Sequence, residues 1–361
     1  MKFFARGVFL LTALQSVLVQ GAPCNGDSSY WKALAPIPLY PRQEHTTLAL
    51  NTTTLLILGG IIPATPDNPN LFNTTSLLQL YHLPTNTWHH PHPLSGLPVP
   101  LNHPNAAIIK SKLYLLGGLS DAVGDGVWRA TGASWVYDPA ANTWSPLPPL
   151  PAWDMARGSA AVGVDEKTGV VYLAGGLTQL PLVEGMGEQE SVDVVSAFDT
   201  VAGEWVDLRG NGKEGVRRMP GRRDHAGVAV VDRVMFVLGG RDHGQDHVKG
   251  EVFALDLGRL EKGWVTKKGR MPTPRGGVCA AAVKGKVYVF GGEGSKAEGS
   301  EGVFDQVEVY DTRRDTWERL GKMREPRHGT SAAAVGGAVY IPGGGVKQGG
   351  APVVTFDAFY P

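Results

Sequence analysis

Histidine and arginine recur at counted distances ahead of glycine pairs. His45, His103 and His225 each stand 14 residues before the first glycine of a Gly-Gly doublet, and Arg223, Arg275 and Arg327 each stand 16 before one. Arg157 falls at the histidine position once a four-residue insertion near Lys167 is removed, and His328 is shifted by one. Arg42, Glu44, Asn102, Asp154, Arg222 and Asp224 are close neighbours of these residues. If the chain is built from repeated units around an axis, equivalent positions converge on it. The result would be a crown of arginine and histidine suited to an anion, because guanidinium forks pair with carboxylates. The histidines could also exchange protons at neutral pH. His45, Glu44, Asp224 and His225 are then the candidates for acid and base. Arg42, His103, Arg157, Arg223, Arg275, Arg327 and His328 are the candidates for holding a ligand. The competing reading of the same residues is structural: they would satisfy backbone groups between repeated units.

The elements that must position this crown are legible as a repeat. A diglycine closes an apolar, β-rich run six times, at Gly59, Gly117, Gly175, Gly239, Gly291 and Gly343. Successive doublets are 58, 58, 64, 52 and 52 residues apart. Five doublets have a tryptophan 24 to 29 residues downstream of the second glycine: Trp88, Trp144, Trp205, Trp264 and Trp317. The sixth lacks one, but Trp31 stands near the N-terminus in a similar context. Each unit reads as four strands. An alanine- and valine-rich first strand leads to a second ending at the diglycine. A third ends in an aromatic and aspartate, and a fourth starts near the tryptophan. Turn-forming Asp-Pro, Asn-Thr and Asp-Thr pairs separate the last two.

This pattern resembles the kelch repeat over nearly the whole chain. The resemblance implies an all-β fold, a six-bladed β-propeller of four-stranded antiparallel blades around a central channel. A strand near Trp31 would complete the C-terminal blade and close the ring. The diglycines and repeat tryptophans are then structural. Trp128, Trp135 and Trp153 lie outside the repeating position and are freer to line a ligand surface. The variable loops after each diglycine would form the binding face.

Composition narrows the function. The 361 residues carry 34 basic and 34 acidic side chains, a net charge of zero. Nothing in that balance suggests nucleic acid. Two cysteines, Cys24 and Cys279, exclude a disulfide-dense scaffold and multi-cysteine metal sites. They could bridge if the N-terminal segment folds back; otherwise Cys279 is a free buried thiol. Lys2 and Arg6 precede an apolar run from Val8 to Val19, followed by Gly21 and Ala22. That order is a secretory signal peptide of residues 1–21, leaving 22–361 as one propeller domain. The run is too short for a membrane span. Asn51-Thr52-Thr53 and Asn73-Thr74-Thr75 are glycosylation sequons, consistent with secretion of a monomer.

Three functions compete. One is a secreted propeller that binds a ligand or partner, an acidic small molecule or acidic peptide, at the channel mouth. It is similar to animal kelch adaptors, which bind acidic motifs through arginines at blade entries. The second is a small-molecule enzyme using the same site for isomerase, mutarotase or cyclase chemistry; bacterial sialic-acid mutarotases are propellers of this kind. The third, a copper radical oxidase resembling galactose oxidase, is disfavoured. That family needs extra domains, and this chain ends with its sixth blade. No metal or cofactor is expected. The segment Arg241-Asp242-His243-Gly244-Gln245-Asp246-His247 reads as a solvated loop.

Overall fold

The computed structural model describes residues 30–64, 72–89, 94–121, 123–182, 188–209 and 214–361. Residues 1–21, expected from the sequence to be a signal peptide, and Cys24 lie outside them. Six antiparallel four-stranded sheets follow one another along the chain. Blade one runs from Thr46–Ala49 to Thr87–Trp88, blade two from Ala106–Ile109 to Thr143–Leu147, and blade three from Ala161–Asp165 to Glu204–Val206. Blade four runs from Gly227–Val231 to Trp264–Thr266, and blade five from Cys279–Val283 to Thr316–Lys322. In blade six the strands Ala333–Val335, Ala338–Pro342 and Phe356–Phe359 are joined by Trp31–Ala33 as outer strand. Trp31 pairs with Phe359 and Ala33 with Asp357, so the two ends of the chain close the ring as expected. Among the described residues no helix is long and apolar enough to cross a membrane.

Two sets of repeated contacts explain why the diglycines and tryptophans recur. At the outer rim each repeat tryptophan donates its indole N–H to a carbonyl of the preceding blade's exit. Trp88 bonds Ala35 at 2.9 Å, Trp144 bonds Ser95 at 3.0 Å, and Trp31 bonds Lys322 at 3.1 Å. Trp205, Trp264 and Trp317 repeat the contact on Pro148, Val216 and Gly269. Nearer the axis, the second glycine donates to the backbone of the next blade: Gly292 N–H bonds the Arg327 carbonyl at 2.9 Å, and Gly344 N–H bonds that of Arg42 at 2.8 Å. The chain can pass so close only without a side chain. A Cβ at Gly291, where φ is +57°, would sit 2.0 Å from the Arg327 carbonyl oxygen.

The innermost layer is a ring of backbone bonds about the axis. Residues 44, 103, 159, 225, 277 and 329 hold the same place in the six blades, each with φ between 49° and 63°. Glu44 N–H bonds the Gly329 carbonyl, His103 bonds Glu44, and Ser159 bonds His103. Gly277 then bonds His225, and Gly329 bonds Gly277. The remaining link runs from His225 N–H to the Ser159 hydroxyl at 3.2 Å. The ring gathers these six positions about the axis at one mouth of the channel and brings the Glu44, His103 and His225 side chains within 3.8 Å of one another.

Candidate functional site

Strand register corrects two alignments made by counting. Blade one turns from its first to its second strand through three residues, Asn51–Thr53, where blade two uses only Lys110 and Ser111. His45 is therefore displaced by one, and Glu44 is the true equivalent of His103 and His225. In blade three the insertion near Lys167 lengthens the turn by two residues, not four. Arg157 consequently takes the arginine position, and Ser159 takes the ring position.

The arginines do not form a crown. Arg42, Arg157, Arg223, Arg275 and Arg327 are all buried within their own blades, where they bond backbone carbonyls and neighbouring side chains; the Nε of Arg42, Arg157 and Arg223 has no partner among the described residues. Arg275 bonds the Gly291 and Val289 carbonyls and pairs with Glu308 at 2.6 Å. Arg327 repeats this on the Gly343 and Ile341 carbonyls and Asp357. Arg157 bonds the Leu173 carbonyl and Ser196, with Asp154 at 3.5 Å. Arg223 pairs with Glu251 and covers Phe253, and Arg42 bonds the Gly59 carbonyl and Gln79. The reason is the fold: this position sits where the second strand's end would otherwise leave carbonyls without donors, and a guanidinium supplies several at once. Arg222, by contrast, reaches out to His243 at 3.0 Å.

His45 lies in the channel wall below the ring rather than in it. Burial, aided by the Arg42 charge, pulls its pKa from 6.5 to about 3. The unfolded chain takes up a proton below pH 6.5 while the folded chain does not, so folding loses stability as pH falls from there toward 3. His45→Gln removes that penalty. At about pH 4.5 the variant should be roughly 2 kcal/mol better off relative to wild type than it is at neutral pH. Urea unfolding at the two pH values checks this; equal differences at both would place His45 outside the pH response.

What does converge at the mouth is a mixed cluster. Glu44 Oε2 lies 3.1 Å from His103 Nε2 and 3.8 Å from His225 Nε2. The two Nε2 atoms are 2.9 Å apart. His103 Nδ1 is held by Asn102 Oδ1 at 2.6 Å, and His225 Nδ1 by Asp224 Oδ1 at 2.6 Å. Arg241 bonds Asp224 at 2.8 Å through Nε and Glu293 through Nη1. Its Nη2 stands 3.3 Å from His225 Nε2. His328 donates from Nε2 to the Lys347 carbonyl at 2.7 Å, with Nδ1 3.4 Å from Glu293. Burial opposes ionisation of Glu44, Asp224 and Glu293, but neighbouring charge outweighs it. His103 and His225 hold Glu44 well below the usual range, and Arg241 lowers Asp224. His328 and Arg241 do the same for Glu293. Burial, reinforced by Arg241, lowers His225 against the pull of Asp224.

Glu293 is a residue sequence reasoning missed, and Arg241 is one it assigned to a solvated loop. Each follows a diglycine directly, where blades one to three carry Ile61, Leu119 and Leu177. A charge replacing an aliphatic at a fixed repeat position was the available signal. Arg241 is only 1% exposed, so the loop it opens is not simply solvated. His243 and His247 make local contacts within that loop and do not converge on one point.

This cluster floors a cavity of about 470 Å³. Its walls come from the loops after the diglycines: Phe72, Trp128, Leu180, Leu182, Gln245 and Gln348. Trp128 is 3% exposed, belongs to the apolar cluster of Ile61, Leu119 and Leu177, and has no hydrogen-bond partner for its indole N–H. The strand Gln179–Pro181 of blade three's loop pairs with Val127–Arg129, carrying Leu180 to the cavity rim. Trp135 packs in a blade core, and Trp153 lies under Arg209 away from this wall. Asn51 is exposed on the turn at the opposite end of blade one, and Asn73 is half-buried in a ribbon with Ile62. Cys279 is a buried free thiol in the channel wall, its pKa pushed up to about 12 by burial.

Comparison with known proteins agrees with this architecture. Residues 171–358 match the KLHDC2/KLHL20/DRC7 Kelch-repeats domain, and residues 100–151 match the Kelch motif. The Kelch-like protein terF of Aspergillus terreus is 34% identical over 335 residues, 92% of this chain and 68% of that one. Kelch domain-containing protein 3 of Rattus norvegicus is 26% identical over 70% of this chain, and the chain spans 65% of it. N-acetylneuraminate epimerase of Vibrio cholerae is 31% identical over 132 residues, 35% of this chain and 30% of that enzyme. The solved "Structure of YjhT" superimposes with a TM-score of 0.68 at 17% identity, over 91% of this chain and 97% of that one. With six blades of matching register and these sequence matches together, the chain belongs to the kelch-repeat β-propeller family.

Proposed function

We propose that this protein binds a small organic molecule in the mouth cavity, with the ring side chains contacting its polar groups. The observation that carries this is the cavity itself. It has the volume of a small-molecule site, walls that mix aromatic and aliphatic side chains with glutamines, and a few convergent polar groups on its floor. The blade arginines lying within their own blades, the floor offers two carboxylates, Glu44 and Glu293, against one guanidinium, with Asp224 buried behind His225 and Arg241. Such a floor suits hydroxyl and carbonyl groups better than the carboxylate-bearing ligand expected from the sequence. The indole N–H of Trp128 is a further donor awaiting an acceptor, and leaving it unpaired is costly.

The test is a thermal-shift panel of cyclic alcohols, phenols and hydroxyketones beside acids of equal size. A neutral compound should raise the melting temperature of the wild type. Its affinity should fall about tenfold in Trp128→Phe, which keeps the ring and loses one hydrogen bond. Leu180→Arg, which fills the rim, should abolish binding. Binding of the acids alone, or affinities unchanged in both variants, would refute the reading.

A second reading is catalysis on the same molecule. It is favoured by the Asp224–His225 contact at 2.6 Å, which orients an imidazole for proton transfer. The partial similarity to an epimerase is compatible with it. Secretion belongs to the proposal too. Asn51 lies on the face opposite the cavity, where a glycan would not obstruct the mouth.

A further inference from the structure

We propose that Glu44, His103 and His225 are the protein ligands of a divalent first-row transition metal on the propeller axis. The remaining coordination positions would face the mouth cavity. This stands on the ring geometry and does not require the organic ligand proposed above.

Hydrogen-bond direction supplies the first argument. Asn102 Nδ2 donates to the Thr74 hydroxyl at 2.8 Å, so its carbonyl oxygen faces His103 Nδ1. His225 Nδ1 faces a carboxylate, that of Asp224. Both Nδ1 atoms therefore carry hydrogen, and when the rings are neutral both Nε2 atoms present lone pairs. Those lone pairs are 2.9 Å apart, with Glu44 Oε2 beside them at 3.1 and 3.8 Å. Three acceptors so close repel one another unless a proton on one imidazole or a metal cation joins them, and a metal ion serves all three at once. Donor atoms each about 2.0–2.1 Å from a metal stand about 2.9–3.4 Å apart; the His103–His225 and Glu44–His103 separations have this spacing, and the Glu44–His225 separation of 3.8 Å is longer. A carboxylate or amide oxygen behind each ligating imidazole is the usual support of such a site.

Charge balance is the second argument. Glu44, Asp224 and Glu293 are buried or nearly so, and the permanent cation among them is Arg241. Arg241 Nη2 approaches His225 Nε2 at 3.3 Å, but its other donors already serve Asp224 and Glu293. His328 adds at most one positive charge, beside Glu293. A divalent ion would bring the cluster close to neutrality.

The third argument is the use of the repeat. Blades one, two and four place Glu, His and His in a left-handed backbone conformation that costs non-glycine residues energy, with φ of 52°, 49° and 50°. Blades three, five and six place Ser159, Gly277 and Gly329 there. Three ring positions carry ligands, and three are small enough to leave the ion's other side open. Two imidazoles and one carboxylate with open positions is a donor set for Fe, Zn, Co or Ni rather than Mg or Ca.

The experiment uses the full chain, stripped with chelator and titrated with Co²⁺. One equivalent should bind, giving visible d–d absorption and a raised melting temperature. Glu44→Gln and His103→Ala should each weaken Co²⁺ at least tenfold, and His243→Ala in the exposed loop should not. Absence of saturable binding by the wild type, or wild-type affinity in the folded Glu44→Gln and His103→Ala proteins, overturns the site. If those variants do not fold, X-ray absorption of the Co²⁺-loaded wild type decides. Two coordinated imidazoles support the assignment, and one or none rejects it.

Discussion

Arg275→Met should destabilise the propeller by roughly 3–5 kcal/mol, because it strands the Glu308 carboxylate without its buried partner. Both side chains are 0% exposed and 2.6 Å apart. Arg319 approaches Glu308 at 3.5 Å from a largely exposed position and cannot substitute fully. The Gly291 carbonyl would also lose the Arg275 Nε donor at 2.6 Å. Arg275→Met combined with Glu308→Leu should be much less damaging than either change alone, since no charge is left buried. Urea unfolding of the two single variants and the double gives the coupling directly. A stable Arg275→Met protein that binds ligand more weakly would reverse the assignment and return this arginine to a recognition role.

Gly291→Ala is the second large effect. Alanine must adopt φ of +57° and place Cβ 2.0 Å from the Arg327 carbonyl oxygen, the atom that accepts from Gly292. The conformation alone costs about 1–2 kcal/mol, and relief of the clash requires separating blades five and six, for a total of roughly 3 kcal/mol or more. Gly299→Ala is the matched control: φ is +74° with nothing within 4 Å, so it should cost only the conformational part, about 1 kcal/mol. Equal melting temperatures for the two variants would show that the close passage between blades is not what the diglycine serves.

Both expectations follow from contacts that repeat around the ring, and so did the legibility of the fold. A β-propeller asks the same thing of each blade: a side-chain-free passage, an indole for the previous blade's carbonyl, and an aliphatic second strand. Six repetitions make such demands visible as spacing, including the closure at Trp31. The site was legible only in part. His103, His225, Glu44, Asp224 and His328 were singled out by position, and all five join the cluster at the mouth, the first three on the axial ring itself. The arginines of the same pattern were not separable from them by counting, although they point to a different fate.

The sequence by itself determined the blade number, the strand order within each blade and the end of the channel at which polar residues gather. Those depend on local periodicity, which survives without coordinates. Tertiary structure alone decided which residue of each blade entry reaches the axis. A hairpin one residue longer in blade one exchanged His45 for Glu44, and a turn two residues longer in blade three exchanged Arg157 for Ser159. Turn length is absorbed far from the site, yet it sets register, and register selects the side chain presented. Tertiary structure also decided that Arg241 and Glu293 join the floor, because the packing of blade four against blade five brings the two side chains together.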